Sequence, residues 1–161
     1  MESKKVVFNT LPKSAAEIKP AGTPQQTAAF AIAALARYTE DAEAGIAMLD
    51  TLLGPRPVSN FGKQFLRDQL RGKEYTARSY FDGAVPDNNY MPAVPYTVTV
   101  SETPYSYQNE NYAQLWVKSG GADSPRPITM RLKPSTGEWY LWEYQGLLAG
   151  IRIPAKDDPW R

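Results

Sequence analysis

Tyr112-Ala113-Gln114-Leu115-Trp116-Val117-Lys118, followed further on by Ile128-Thr129-Met130-Arg131-Leu132, decides the fold of this chain. Both stretches alternate an apolar residue with a polar or large aromatic one. A period of two places Ala113, Leu115 and Val117 on one face of a strand and Tyr112, Gln114, Trp116 and Lys118 on the other. Working outward, the turn Pro134-Ser135-Thr136-Gly137 leads into Glu138-Trp139-Tyr140-Leu141-Trp142-Glu143-Tyr144. Upstream, Tyr96-Thr97-Val98-Thr99-Val100 repeats the alternation. The spacing predicts an antiparallel meander.

Before Tyr75 the texture differs, for nine of the ten tyrosines and all four tryptophans lie from that point onward. Thr23-Pro24-Gln25-Gln26 is a helix start, with Thr as the cap and Pro at the first helical position, and it predicts a helix over 24–38. Its body, Ala28-Ala29-Phe30-Ala31-Ile32-Ala33-Ala34-Leu35-Ala36, is apolar on nearly every face, as in a helix surrounded by other elements. Thr39 is the expected cap of a second helix, with Ile46, Leu49 and Leu53 as its buried stripe and Gly54-Pro55 as its end. Ser59 is the expected cap of a third, with Phe61, Phe65, Leu66 and Leu70 facing inward and Gly72 closing it. Helices followed by strands predict an α+β fold, N-terminal helices packed on a curved antiparallel β-meander. Residues 1–22 read as an N-terminal arm with an edge strand, and residues 23–161 as a single α+β domain.

Composition limits the chemistry. The chain has 161 residues, with 18 basic and 17 acidic side chains and a formal net charge of +1, so no broad basic footprint for a nucleic acid polymer is expected. Cysteine and histidine are both absent. That removes the thiol nucleophile, the soft metal ligands and the usual general base near neutral pH. No signal-peptide pattern opens the chain, and the longest apolar run is too short to span a bilayer. The expectation is a cytoplasmic protein with no membrane partner, no cofactor and no metal. Asp82, Asp87 and Asn88 are oxygen donors, but their spacing is not that of an EF-hand loop.

Three constellations are candidate binding elements. The first is Lys118-Ser119-Gly120-Gly121-Ala122-Asp123-Ser124-Pro125-Arg126, a polar loop between two strands. Paired glycines permit positive φ and close backbone approach, while Lys118, Ser119, Ser124 and Arg126 supply donors suited to an anion. The second is the stripe Lys63, Arg67 and Arg71, which four-residue spacing sets on one helix face. The third is the long connection over 78–92, where Tyr80, Phe81 or Tyr90 offers a ring to stack on. There Asn88 or Asn89 offers an edge to read a base, and Arg78 a phosphate contact. Each has a plainer reading: a polar hairpin, a solvated helix face, and a loop pinned by its own aromatics. Trp116, Trp139 and Trp142 read as core or interface residues, and Trp160 as a tether for the tail or a contact to a second subunit.

The ending, from Arg126-Pro127-Ile128-Thr129-Met130-Arg131-Leu132 through Gly137-Glu138-Trp139-Tyr140-Leu141-Trp142 to Gly146-Leu147-Leu148, resembles the last hairpin of NTF2-like domains. That resemblance implies a cone-shaped sheet. Phe65-Leu66-Arg67-Asp68-Gln69-Leu70-Arg71-Gly72-Lys73, Ser79-Tyr80-Phe81-Asp82-Gly83-Ala84, Asn88-Asn89-Tyr90 and the 118–126 loop together resemble a family of small uncharacterised proteins of gut Clostridia and associated mobile elements. This second resemblance implies a bacterial or phage cytoplasm and carries no catalytic residue with it.

The leading expectation is a non-enzymatic homo-oligomer that sequesters an anionic nucleotide-like small molecule. In the context the second resemblance implies, it is a phage sponge for a host defence signal. One alternative is an NTF2-like isomerase or hydrolase using a carboxylate or Tyr. The other is a protein-protein interaction module.

Overall fold

A computed structural model describes residues 1–160. Five strands, β1 (Glu2–Phe8), β2 (Tyr96–Glu102), β3 (Tyr112–Val117), β4 (Arg126–Lys133) and β5 (Glu138–Glu143), form one sheet. Their spatial order is β1-β2-β3-β4-β5, and every neighbouring pair is antiparallel. The helices are α1 (Pro24–Glu40), α2 (Ala42–Leu53), α3 (Asn60–Leu70) and the single turn α4 (Tyr75–Arg78). The fold is α+β, as the alternation predicts. β1 and β5 stand at opposite ends of the sheet order, so the sheet is open and its topology lends no support to a cone.

α1 forms where its local signals place it. Thr23 accepts a hydrogen bond from the Gln26 amide at 3.2 Å and Pro24 occupies the first turn. Ala28, Ala29, Ala31, Ile32, Ala33, Ala34 and Leu35 are all buried, and the helix contacts β1, β2, β4 and β5 as well as α2. The end of α1 corrects one expectation. Thr39 does not cap α2; it continues α1, with its hydroxyl donating to the Ala36 carbonyl at 2.7 Å. Asp41 caps α2 instead, accepting from the Ala44 amide at 3.1 Å. Nothing between Tyr38 and Asp41 breaks a helix, so α1 runs on to the next residue able to cap.

Ser59 caps α3 as expected, accepting from the Gly62 amide at 3.0 Å, and Leu66 and Leu70 are buried. Phe61 is a second correction: it is 81% exposed in the first turn of α3, while Phe65, one turn on, packs against the core. The inner face of the sheet presents Val98, Val100, Ala113, Leu115, Val117, Ile128, Met130 and Leu141 to that core.

Residues 1–22 touch both ends of the sheet. β1 pairs along its length with β2 and buries Val6 and Phe8. Further on, the Trp139 amide donates to the Ala21 carbonyl at 2.7 Å, beside the outer edge of β5. Thr27 locks this join, accepting from the Ala21 amide at 3.0 Å and donating to the Trp139 carbonyl at 2.8 Å. No helix among the described residues is long and apolar enough to cross a membrane.

Candidate functional site

The structure brings the 118–126 loop and the 78–92 segment together and leaves the α3 stripe elsewhere. Ser119 is buried, with its hydroxyl 2.8 Å from that of Ser79, and it accepts from the Gly121 amide at 3.1 Å. The Gly120 amide donates to the Ser79 carbonyl at 2.8 Å. Positive φ was the expected reason for the paired glycines, and the structure corrects it, since neither lies among the positive-φ residues. The space beside each is taken by protein: a Cβ on Gly120 would fall 1.9 Å from the Ala84 carbonyl oxygen, and one on Gly121 would fall 2.3 Å from the Tyr90 hydroxyl. Lys118 and Ser124 are exposed. Arg126 donates to the Gly150 carbonyl at 2.8 Å, and its Nε is buried without a hydrogen-bond partner.

The 78–92 segment is likewise tied to its own chain. Asn88 accepts from the Val85 and Met91 amides at 3.0 and 3.1 Å and donates to the Gly83 and Met91 carbonyls at 2.8 and 3.2 Å. Arg78 donates to the Tyr90 carbonyl at 3.3 Å, and Asn89 is exposed in the left-handed region at φ 57°. Tyr90 is fully buried, stacked on Tyr75 at 5.5 Å, and donates to the Arg152 carbonyl at 2.5 Å. Tyr80, 1% exposed, donates to the Leu147 carbonyl at 2.5 Å. Lys63 and Arg67 are exposed on α3, while Arg71, also exposed, lies past its last residue as the C-cap with extended backbone, which ends the expected helical stripe at Arg67. Arg67 donates to Gln64 at 3.3 Å, and among the described residues no hydrogen bond or ion pair joins these residues to the 118–126 loop.

Burial raises several phenol pKa values above the ordinary 10.0. Desolvation dominates at Tyr80, with the Arg126 charge acting the other way, and it dominates at Tyr75, Tyr90 and Tyr144. Tyr107 is pushed up to about 12, first by desolvation and then by its hydrogen bond to Glu102. A raised phenol keeps its proton in the fold where the unfolded chain has released it. The stability it contributes is therefore complete below the ordinary value of 10.0 and is lost as pH rises through the folded value. The melting temperature is expected to fall above about pH 10, with part of the phenolate absorbance appearing only as the protein unfolds. Ionisation of every tyrosine in one step with the fold intact would contradict this.

The outer face of the sheet holds a cluster of a different kind. Cross-strand register aligns Tyr112 with Arg131 and Arg131 with Tyr140, while Gln114 faces Thr129 and Thr129 faces Glu143. Opposite the Thr129 and Met130 pair, β5 carries one extra residue: Met130 pairs with Leu141 and Thr129 with Glu143, leaving Trp142 as the bulge. A bulge re-aims the side chains beside it, so Trp142 and Glu143, adjacent in sequence, line the same hollow.

α2 ends at Gly54, where φ is 65° and a Cβ would fall 2.4 Å from the Tyr140 ring, so the chain passes closely over β5 there. That passage carries Arg56 to the sheet, with its guanidinium 3.7 Å from the Trp142 ring centre. Arg131 lies 5.0 Å from the Trp142 centre and 4.9 Å from that of Tyr112, and it donates to the Tyr112 hydroxyl. Tyr112 meets Trp142 edge-on at 5.4 Å.

Two hollows adjoin at Trp142. One, about 310 Å³, is lined by Arg56, Arg131, Lys133, Tyr140 and Trp142 together with Leu53 and Pro55. The other, about 340 Å³, is lined by Gln108, Asn109, Gln114, Glu143, Tyr105 and Trp142 among others. Among the described residues, Arg56, Arg131 and Lys133 form no ion pair. A larger hollow of about 460 Å³ lies between Pro86 and Asp158, but its cation, Arg152, is already bound to Asp123 at 2.8 Å. A guanidinium beside an aromatic ring keeps N–H donors for an anion, which suits phosphate or carboxylate recognition, although Arg131 already gives one of its donors to the Tyr112 hydroxyl. No three His, Cys, Asp or Glu side chains converge as a cation site among the described residues.

Sequence reasoning did not single out Arg56, Arg131 and Lys133. The outward row of the meander, in which Tyr112, Arg131 and Trp142 alternate with core residues, was the available signal. Arg56 had none, since it follows a helix end and reaches the sheet only through the tertiary fold. No curated protein and no solved structure matches the chain. The family model described as "Domain of unknown function (DUF6935)" matches residues 10–155, a span that takes in all four helices, β2 to β5 and both hollows on the outer face, and the chain belongs to that family.

Proposed function

We propose that the protein binds an anionic, ring-bearing small molecule of the nucleotide class on the outer face of its sheet and holds it without converting it. The observation that carries this reading is the cluster of Arg56 and Arg131 beside Trp142 and Tyr112, with Lys133 lining the same hollow. Among the described residues none of the three forms an ion pair, although Lys133 stands across from Glu138 in the sheet register. A guanidinium that already rests beside a ring has less side-chain freedom to lose on meeting a phosphate, which favours affinity. The adjoining hollows give a planar group somewhere to lie. Retention in place of turnover is the reading favoured by a chain without histidine or cysteine, which would leave proton transfer or nucleophilic attack to a carboxylate, Lys or Tyr.

The test is to incubate purified protein with nucleoside monophosphates, cyclic dinucleotides and ADP-ribose-type molecules, remove unbound material, denature the protein and chromatograph what is released. An intact ligand is the expected product. Arg131→Ala is expected to weaken its binding more than tenfold, on the scale of about 1.5 to 3 kcal/mol for hydrogen bonds to a charged group. A converted ligand would favour the enzyme reading instead. Loss of binding in Arg126→Ala or Arg67→Ala, with Arg131→Ala unaffected, would move the ligand to the hairpin loop or the α3 stripe. No retained ligand would overturn the proposal.

A further inference from the structure

Taking that reading as its basis, we infer that the ligand is a guanine nucleotide, with its phosphate against Arg56, Arg131 and Lys133 and its base edge against Glu143. The two hollows, which share Trp142 as a lining residue, differ in charge. The cations line one hollow and Glu143 lines the other. Glu143 pairs in register with Thr129; Arg131 lies two and Lys133 four residues further along β4, which at about 3.3 Å per residue sets these cations roughly 7 and 13 Å from Glu143 along the strand, with Glu138 across from Lys133 at the far end. A phosphate is attracted to the cations and repelled by Glu143, so a nucleotide has only one favourable orientation.

Glu143 then selects the base. An ionised carboxylate accepts hydrogen bonds and donates none, and among the described residues Glu143 has no ion-pair partner. Two neighbouring N–H donors satisfy both of its oxygens. The Watson-Crick edge of guanine carries such a pair on N1 and the exocyclic amine. The corresponding edge of adenine sets a ring acceptor beside its amine, and that acceptor would face an oxygen with nothing between them. The amides of Gln114 and Asn109 in the same hollow can donate to the guanine carbonyl, and Tyr105, 72% exposed at the rim, offers a ring face for stacking. The bulge at Trp142 makes this possible, because it puts Glu143 into the hollow that Trp142 also lines.

Equilibrium dialysis with guanosine and adenosine monophosphates tests the inference. Wild-type protein is expected to bind the guanosine form at least about tenfold more tightly, and Glu143→Gln to bring the ratio close to one, since an amide can donate as well as accept. Arg131→Ala is expected to weaken both nucleotides by the same factor. Glu143 is exposed and the replacement nearly isosteric, and matched thermal melts confirm that the variant is folded. Equal affinities in the wild type, or a preference that Glu143→Gln leaves unchanged, overturn the guanine assignment. If neither monophosphate binds while another anion of the wider panel is retained, this inference fails and the binding proposal stands. If nothing in the panel is retained, both fail.

Discussion

Gly120→Ala is expected to lower the unfolding free energy by about 3 kcal/mol or more, the upper end of what overpacking costs. The added methyl would lie 1.9 Å from the Ala84 carbonyl oxygen, 3.0 Å from the carbon of that carbonyl and 3.2 Å from Val85 Cγ1. The first two of these neighbours are backbone, so no rotamer change relieves the clash. Retreat of the loop is resisted as well, because the Gly120 amide is bonded to the Ser79 carbonyl at 2.8 Å and Ser119 to Ser79 at the same distance. The substitution must therefore push apart two segments that the fold holds in contact. Urea unfolding with the midpoint compared to wild type measures the effect, and a change within about 0.5 kcal/mol would show that the loop yields at this contact.

Tyr80→Ala is expected to cost about 4 kcal/mol, because it removes a wholly buried ring and leaves a cavity in the core. Tyr80→Phe separates the ring from its hydroxyl. It keeps the packing and deletes only the 2.5 Å bond to the Leu147 carbonyl, so about 1 to 2 kcal/mol is expected, mostly the penalty of leaving that carbonyl unpaired. The Phe variant should also lack one late-ionising phenol in the alkaline titration. If Phe proves as damaging as Ala, the hydroxyl and not the ring is what joins the 78–92 segment to the turn at Leu147.

Some of this was legible in the sequence, and the boundary follows the range of the interactions. The Thr23-Pro24 start of α1 and the Ser59 cap of α3 depend on residues within one turn, and both are found in the structure. The alternation around Leu115 and Met130 likewise needs only a single buried face to be readable. Thr39 and Asp41 were harder to separate, since both can cap and the choice rests on where α1 stops. The Gly120-Gly121 pair reads as ligand-ready because glycine means close approach, yet Ala84 and Tyr90, far away in the chain, fill that space. The bulge at Trp142 belongs to the pairing of two strands and leaves no mark in either alone.

The antiparallel pairing of β1 with β2 bears on how the protein is made. Ser3 and Ser101, whose hydroxyls lie 2.8 Å apart, are 98 positions apart in sequence. On the ribosome, β1 emerges before β2 and must wait for the helices between them to be made before its partner exists, and a contact of such span is slow to close even once both are present. Until then, Val6-Val7-Phe8 is an exposed apolar strand, and the charges of Lys4 and Lys5 next to it are what discourage pairing with a neighbouring nascent chain.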